Sequence, residues 1–230
     1  MKTNSQRTDS SVHRLPTRQQ SLGEEIANSV THGIGAALSL AALVLLVVFA
    51  GKTGDAWRIV SLSIYGAALF FLYLISTLYH SFTSPRTKQL FRLLDHSSIF
   101  LLIAGTYTPV TLISMRGPWG WTIFALIWAL AIAGIVGKIF LLDKFRVVSV
   151  MLYIAMGWLI VIAVKPMLQM VPPGLILWLV IGGLCYSLGV VFYAFKQVPY
   201  FHFIWHLFVL SGSISHFFGM LFYLARTAAL

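Results

Sequence analysis

Seven long apolar runs, broken by short polar punctuation, decide what this chain can fold into. They fall near residues 33–50, 59–80, 93–114, 119–141, 147–165, 174–195 and 201–225. At about 1.5 Å per helical residue, each is close to the length needed to cross ~30 Å of hydrocarbon. The breaks are short, as at Lys52-Thr53-Gly54-Asp55, Arg116-Gly117-Pro118 and Pro172-Pro173-Gly174, so consecutive helices are expected to be antiparallel neighbours. There is no internal repeat and no low-complexity segment. The expectation is an all-α membrane protein, a seven-transmembrane helix bundle over residues 23–230, after a disordered polar tail over residues 1–22. Glu24 to His32 reads as a short interfacial helix leading into the first span.

Composition excludes a soluble domain. Only 10% of the residues are charged and 59% are hydrophobic, whereas a soluble surface needs about a quarter charged residues. The excess of 16 Lys and Arg over 6 Asp and Glu does not point to nucleic acid, because the basic residues flank apolar segments and form no continuous patch. They read as topology signals and as contacts to anionic lipid headgroups, with membrane lipids the expected partners. Along the alternating loops, 11 Lys and Arg fall on the side of the N-terminal tail and 5 on the other. The positive-inside rule then puts the N-terminus in the cytoplasm and, with seven spans, the C-terminus outside. Losing or adding a span would scramble that bias. Residues 1–22 hold no short apolar core followed by a small-residue cleavage site, so the first apolar segment is expected to stay as an anchor. The single cysteine, Cys185, forms no internal disulfide and excludes a cysteine metal cluster.

Ionisable residues inside spans are costly and mark candidate functional sites. Of the six acidic residues, Asp95 alone falls within a predicted span. His80 closes the second span, with Ser76 four residues before it, and His202 and His206 open the seventh, also four apart. That spacing puts both side chains of each pair on one helix face, about 6 Å apart along the axis. The alternating topology brings all five residues to a similar depth near the cytoplasmic face.

A single histidine in a membrane helix usually bonds a neighbouring helix. Three of them at one depth, with an acid and a hydroxyl alongside, go beyond that. Three imidazoles with one open position make a catalytic-type zinc site, although the ligand type equally admits copper, iron or nickel. Asp95 is then placed to hold a water and move its proton, and Ser76 to hydrogen-bond that water or a developing oxyanion. His96 points about 100° away from Asp95 and reads as a packing residue. His216 lies about 15 Å along the helix from His206, outside the site. Pro109 is expected to kink the third helix. Gly134, Gly137, Gly182, Gly183 and Gly189 are expected at helix-packing positions, and Trp119 and Trp121 at a membrane interface.

Four segments carry a family resemblance: Glu24-Glu25-Ile26-Ala27-Asn28-Ser29-Val30-Thr31-His32, Ser76-Thr77-Leu78-Tyr79-His80, Leu94-Asp95-His96-Ser97 and His202-Phe203-Ile204-Trp205-His206. Together the chain resembles the hemolysin-III proteins, the bacterial branch of the progestin and adiponectin receptor family, over about residues 22–226. The resemblance implies a seven-helix fold with the N-terminus inside and a zinc ion on His80, His202 and His206, with Asp95 and Ser76 near a water. Alkaline ceramidases in the wider superfamily suggest hydrolysis of a lipid amide or ester. Glu25, Asn28 and His32 match the family's N-terminal motif, which assigns them no chemical role.

Three functions follow from these readings. One is a zinc-dependent lipid hydrolase in a bacterial inner membrane. Another is a membrane-homeostasis sensor or receptor-like regulator whose zinc only clamps helices. The third, a pore-forming cytolysin, has little support: a secreted toxin needs a soluble form, and most of these spans are apolar all round.

Overall fold

A computed structural model describes residues 18–141, 146–195 and 197–226. Most of the expected tail, together with Lys144 and Lys196 from the charge count, lies outside the described residues. Among the described residues there is no strand, and seven helical segments are long and apolar enough to span a membrane.

Helix α1 (Leu22–Gly51) starts well before its apolar run. A capping box sets that start: the Ser21 hydroxyl accepts the Glu24 N–H, and the Glu24 carboxylate accepts the Ser21 N–H. Glu24 to His32 is therefore the first part of α1, not a separate interfacial helix. Its polar side chains Glu24, Asn28, Thr31 and His32 are buried against other helices, so an inward-facing polar stripe hid the beginning of the span. Glu24 and Glu25 thus join Asp95 as acids within spanning helices.

Helix α2 (Ala56–Ser81) is capped by Asp55, whose carboxylate accepts the Trp57 N–H at 2.9 Å. Helix α3 (Pro85–Pro109) also begins ahead of its apolar run, with Pro85 in the first turn, where its missing N–H costs nothing. Arg86, Lys88 and Arg92 consequently sit on a helix. Pro109 ends the α geometry, and the chain continues as a π-helix over Val110–Ser114. The Thr111 hydroxyl donates to the Tyr107 carbonyl at 2.9 Å across this change.

Helix α4 (Pro118–Leu141) forms the fourth span. The fifth is broken: α5 (Arg146–Gly157), a 3-10 segment (Leu159–Ala163) and α6 (Val164–Met170). It runs past Lys165, where the apolar run ends. Helix α7 (Pro173–Ala194) and α8 (Phe201–Met220), the latter extended by a π-helix over Leu221–Ala225, complete the bundle.

The packing is most extensive between α1 and α2, α2 and α3, and α7 and α8, and α1 also meets α8. Small residues permit these approaches. A Cβ on Gly105 of α3 would lie 2.9 Å from Ala68 of α2, and one on Gly189 of α7 would lie 2.8 Å from Phe208 of α8. Gly134 and Gly182 are similarly filled by Phe100 and His216, and Gly183 faces Trp158 at 3.6 Å. Gly137 is different, because among the described residues nothing lies within 4 Å of its would-be Cβ. Trp119 and Trp121 are exposed, as interface residues are, and Arg116 stacks over the neighbouring Trp57 ring at 4.4 Å.

The break in the fifth span would leave backbone groups unpaired in hydrocarbon, where each costs several kcal/mol. Tyr107 of α3 supplies both partners: its hydroxyl donates to the Gly157 carbonyl and accepts the Ile160 N–H, each at 3.0 Å. Tyr107→Phe is expected to destabilise the bundle by about 1–3 kcal/mol, read as a lower midpoint in thermal unfolding of the detergent-solubilised protein.

Candidate metal centre

Two helices deliver the histidines. His80 lies in the last turn of α2, and His202 and His206 occupy successive turns at the start of α8. The entry to α8 is fixed by Tyr200, which adopts a left-handed backbone (φ 63°) and donates its N–H to Glu24 at 2.8 Å. One ring nitrogen from each of His80, His202 and His206 lies within 4.8 Å of the others. The Nε2 atoms of His202 and His206 are 3.1 Å apart, close to the ~3.3 Å edge of a tetrahedron with Zn–N bonds of about 2.0–2.1 Å. These three residues can hold a metal ion.

The ring orientations are set from behind. His80 donates its Nδ1–H to Glu25 at 2.7 Å, and Lys88 donates to the other oxygen of the same carboxylate at 2.8 Å. The lone pair of His80 is therefore on Nε2, a buried atom with no hydrogen-bond partner among the described residues. Buried polar atoms are almost always paired, so an imidazole nitrogen left bare among other imidazoles fits a cation-binding site.

Ser76, one turn before His80, is hydrogen-bonded to His32 Nδ1 at 2.7 Å. The Asp95 carboxyl lies near this serine and near His80. His32 stacks on His206, with centroids 3.6 Å apart and planes 10° from parallel, and meets Tyr73 edge-on at 4.9 Å. From Tyr73 a polar chain runs inward, through Ser213 at 2.8 Å to Tyr186 at a further 2.8 Å.

The structure thus brings together all five residues singled out in the sequence. Asp95 is not near its helix start, since α3 begins ten residues earlier and extends past the level of the site. His96 contributes its backbone carbonyl to Tyr153 on α5. His216 donates Nε2–H to the Leu179 carbonyl, away from the trio. Sequence reasoning left Glu25, His32 and Lys88 without roles, yet a signal was present. Glu25, Asn28 and His32 are spaced i, i+3 and i+7, one face of a helix.

An apolar cavity of about 180 Å³ adjoins the site. Leu72, Ile99 and Val209 line it, each one helical turn from Ser76, Asp95 or His206. Ile154 and Val180 on its wall are each 38% exposed.

The family described as Haemolysin-III related matches residues 20–217, a range that holds every residue of this site. Hemolysin-3 of Bacillus cereus is 50% identical over 218 residues, covering 95% of this chain and 100% of that protein. The Hemolysin-3 homolog of Bacillus subtilis (strain 168) is 48% identical over 203 residues, 88% of this chain and 95% of the relative. The human protein called Monocyte to macrophage differentiation factor is 30% identical over 224 residues, covering 94% and 92%.

Removing one partner of the His32–Ser76 bond strands a polar atom in a buried place. Ser76→Val is expected to cost about 1–3 kcal/mol of stability, measured by unfolding of metal-free protein. A His32→Phe, Ser76→Val double variant should recover part of that loss, because both partners are then apolar.

Proposed function

This chain belongs to the haemolysin-III family of multi-pass integral membrane proteins, and on that premise we propose that it hydrolyses a membrane lipid amide or ester at a zinc site. The observation that carries this reading is the trio His80, His202 and His206, the first and last of them buried, with Ser76 and Asp95 beside it and an apolar cavity close by. All three donors are imidazole nitrogens, which suit zinc. The resemblance to a family whose wider superfamily includes alkaline ceramidases supports the bond class. When bound, zinc supplies a Lewis acid that polarises a carbonyl and lets water attack near neutral pH.

The chain's own groups do the rest. Asp95 takes a proton from the attacking water and returns it to the leaving nitrogen or oxygen. Ser76 offers a hydrogen bond to the oxygen on which charge develops. The cavity holds an acyl chain, which enters from the lipid between Ile154 and Val180. The charge bias supports a site at the cytoplasmic face and the family resemblance a bacterial inner membrane, with basic residues such as the exposed Arg86 in contact with anionic headgroups.

A second reading has an observation of its own. His32 is a fourth imidazole against His206, and its Nε2 is buried without a hydrogen-bond partner. Stacked on His206, it supports a ligand from behind, and on this reading the ion only clamps α2 to α8 and the protein is a membrane-homeostasis sensor or receptor-like regulator.

Elemental analysis decides first. About one zinc per wild-type chain is expected, with none in a His202→Ala, His206→Ala double variant. No zinc in folded wild-type protein prepared without chelators overturns the proposal. Asp95→Ala is expected to keep the zinc but lose at least ~10²-fold in turnover of lipid amides or esters. Unchanged turnover would rule out the role given to Asp95, and zinc with no hydrolysis of either bond class favours the regulator.

A further inference from the structure

Two neighbouring carboxylates at the start of α1 point in different directions, because successive helical residues are turned by about 100°. Glu24 accepts two bonds from Arg18 at 2.9 and 2.6 Å, one from the Ser21 N–H at 2.9 Å and one from the Tyr200 N–H at 2.8 Å. It fastens α1 to the start of α8. Glu25 reaches the other way, to His80 on α2 and Lys88 on α3, at 2.7 and 2.8 Å. Between them the two side chains tie α1 to each of the three helices that carry His80, Asp95 and the His202/His206 pair.

A neutral imidazole is free to carry its hydrogen on either nitrogen, and only one tautomer presents the lone pair to a given place. A carboxylate on Nδ1 removes that freedom, fixes the ring plane and raises the basicity of Nε2. A carboxylate at this depth is itself costly unless paired. Lys88 pairs it, and is in turn held by the Phe82 carbonyl at 3.4 Å and by the Tyr79 ring at 5.1 Å. The His80 ring lies 5.2 and 5.1 Å, centroid to centroid, from those of His202 and His206.

We propose that Glu25 is the positioning residue of the metal centre, held in place by Lys88, and that it makes His80 a ligand by fixing its tautomer and ring orientation. The assignment rests on the zinc reading above. It gives the N-terminal motif a chemical task in a helix that supplies none of the three ligands.

The test uses the full chain in detergent and zinc as the probe, with affinity measured by competition against a chromophoric chelator. Glu25→Ala is expected to bind zinc about 10–100-fold more weakly than wild type. Glu25→Gln, which keeps an acceptor but no charge, and Lys88→Met, which frees the carboxylate, should each lose less. The rise in melting temperature on adding zinc, taken relative to each variant's own metal-free value, should shrink in the same order. The visible spectrum of the cobalt-substituted protein should differ from wild type in Glu25→Ala. Equal zinc affinity and an unchanged cobalt spectrum across these variants overturn the assignment and leave the zinc reading standing. A wild-type chain that takes up no zinc overturns both.

Discussion

Hydrocarbon offers no hydrogen bonds, so every polar atom that this chain carries into the bilayer must be satisfied by another part of the chain. That constraint explains features that otherwise look unrelated. The fifth span breaks at Gly157, and Tyr107 crosses from α3 to satisfy the backbone on both sides of the gap. The third span changes from α to π geometry after Pro109, and Thr111 turns its hydroxyl back onto the helix. The first turns of α1 are polar, and their side chains face inward, where other helices supply partners.

The same constraint concentrates the ionisable groups. Glu24, Glu25, His32, Ser76, His80, Asp95, His202 and His206 come from four helices and meet at one end of the bundle. Each is a liability alone in lipid, and the observed bonds show how they support one another: carboxylate to imidazole, ammonium to carboxylate, hydroxyl to imidazole. In a low-dielectric surrounding such pairs are strong, and orphaned members are costly. A bare Nε2 on His80 in that setting is therefore informative. On the proposed reading, the network that lowers the cost of burying these groups also orients them for an ion.

The number of spans was legible, because about 20 apolar residues in a row have few other uses in a chain this poor in charge. Where the spans begin was less so. Both α1 and α3 start ahead of their apolar runs, one because its polar residues face inward and the other because a basic stretch continues as helix beyond the site. The His202/His206 and Ser76/His80 pairs were legible for a simpler reason: each lies on one helix, where a spacing of four fixes a shared face. Gly137 shows the limit of composition, since a small residue invites close packing only where another helix is present to use the space.

The sequence by itself determined the elements and everything set by periodicity within them: seven spans, their polar faces, and two pairs of residues on common stripes. Only the tertiary structure decided what crosses between helices. That α1 lies behind the histidines, that Glu25 meets His80 across 55 positions, and that Nε2 rather than Nδ1 is the nitrogen left bare are outcomes of packing. The physical reason is one of range. Helical geometry dictates where a side chain points on its own helix. Which helix it meets there depends on the complementary surfaces of the whole bundle.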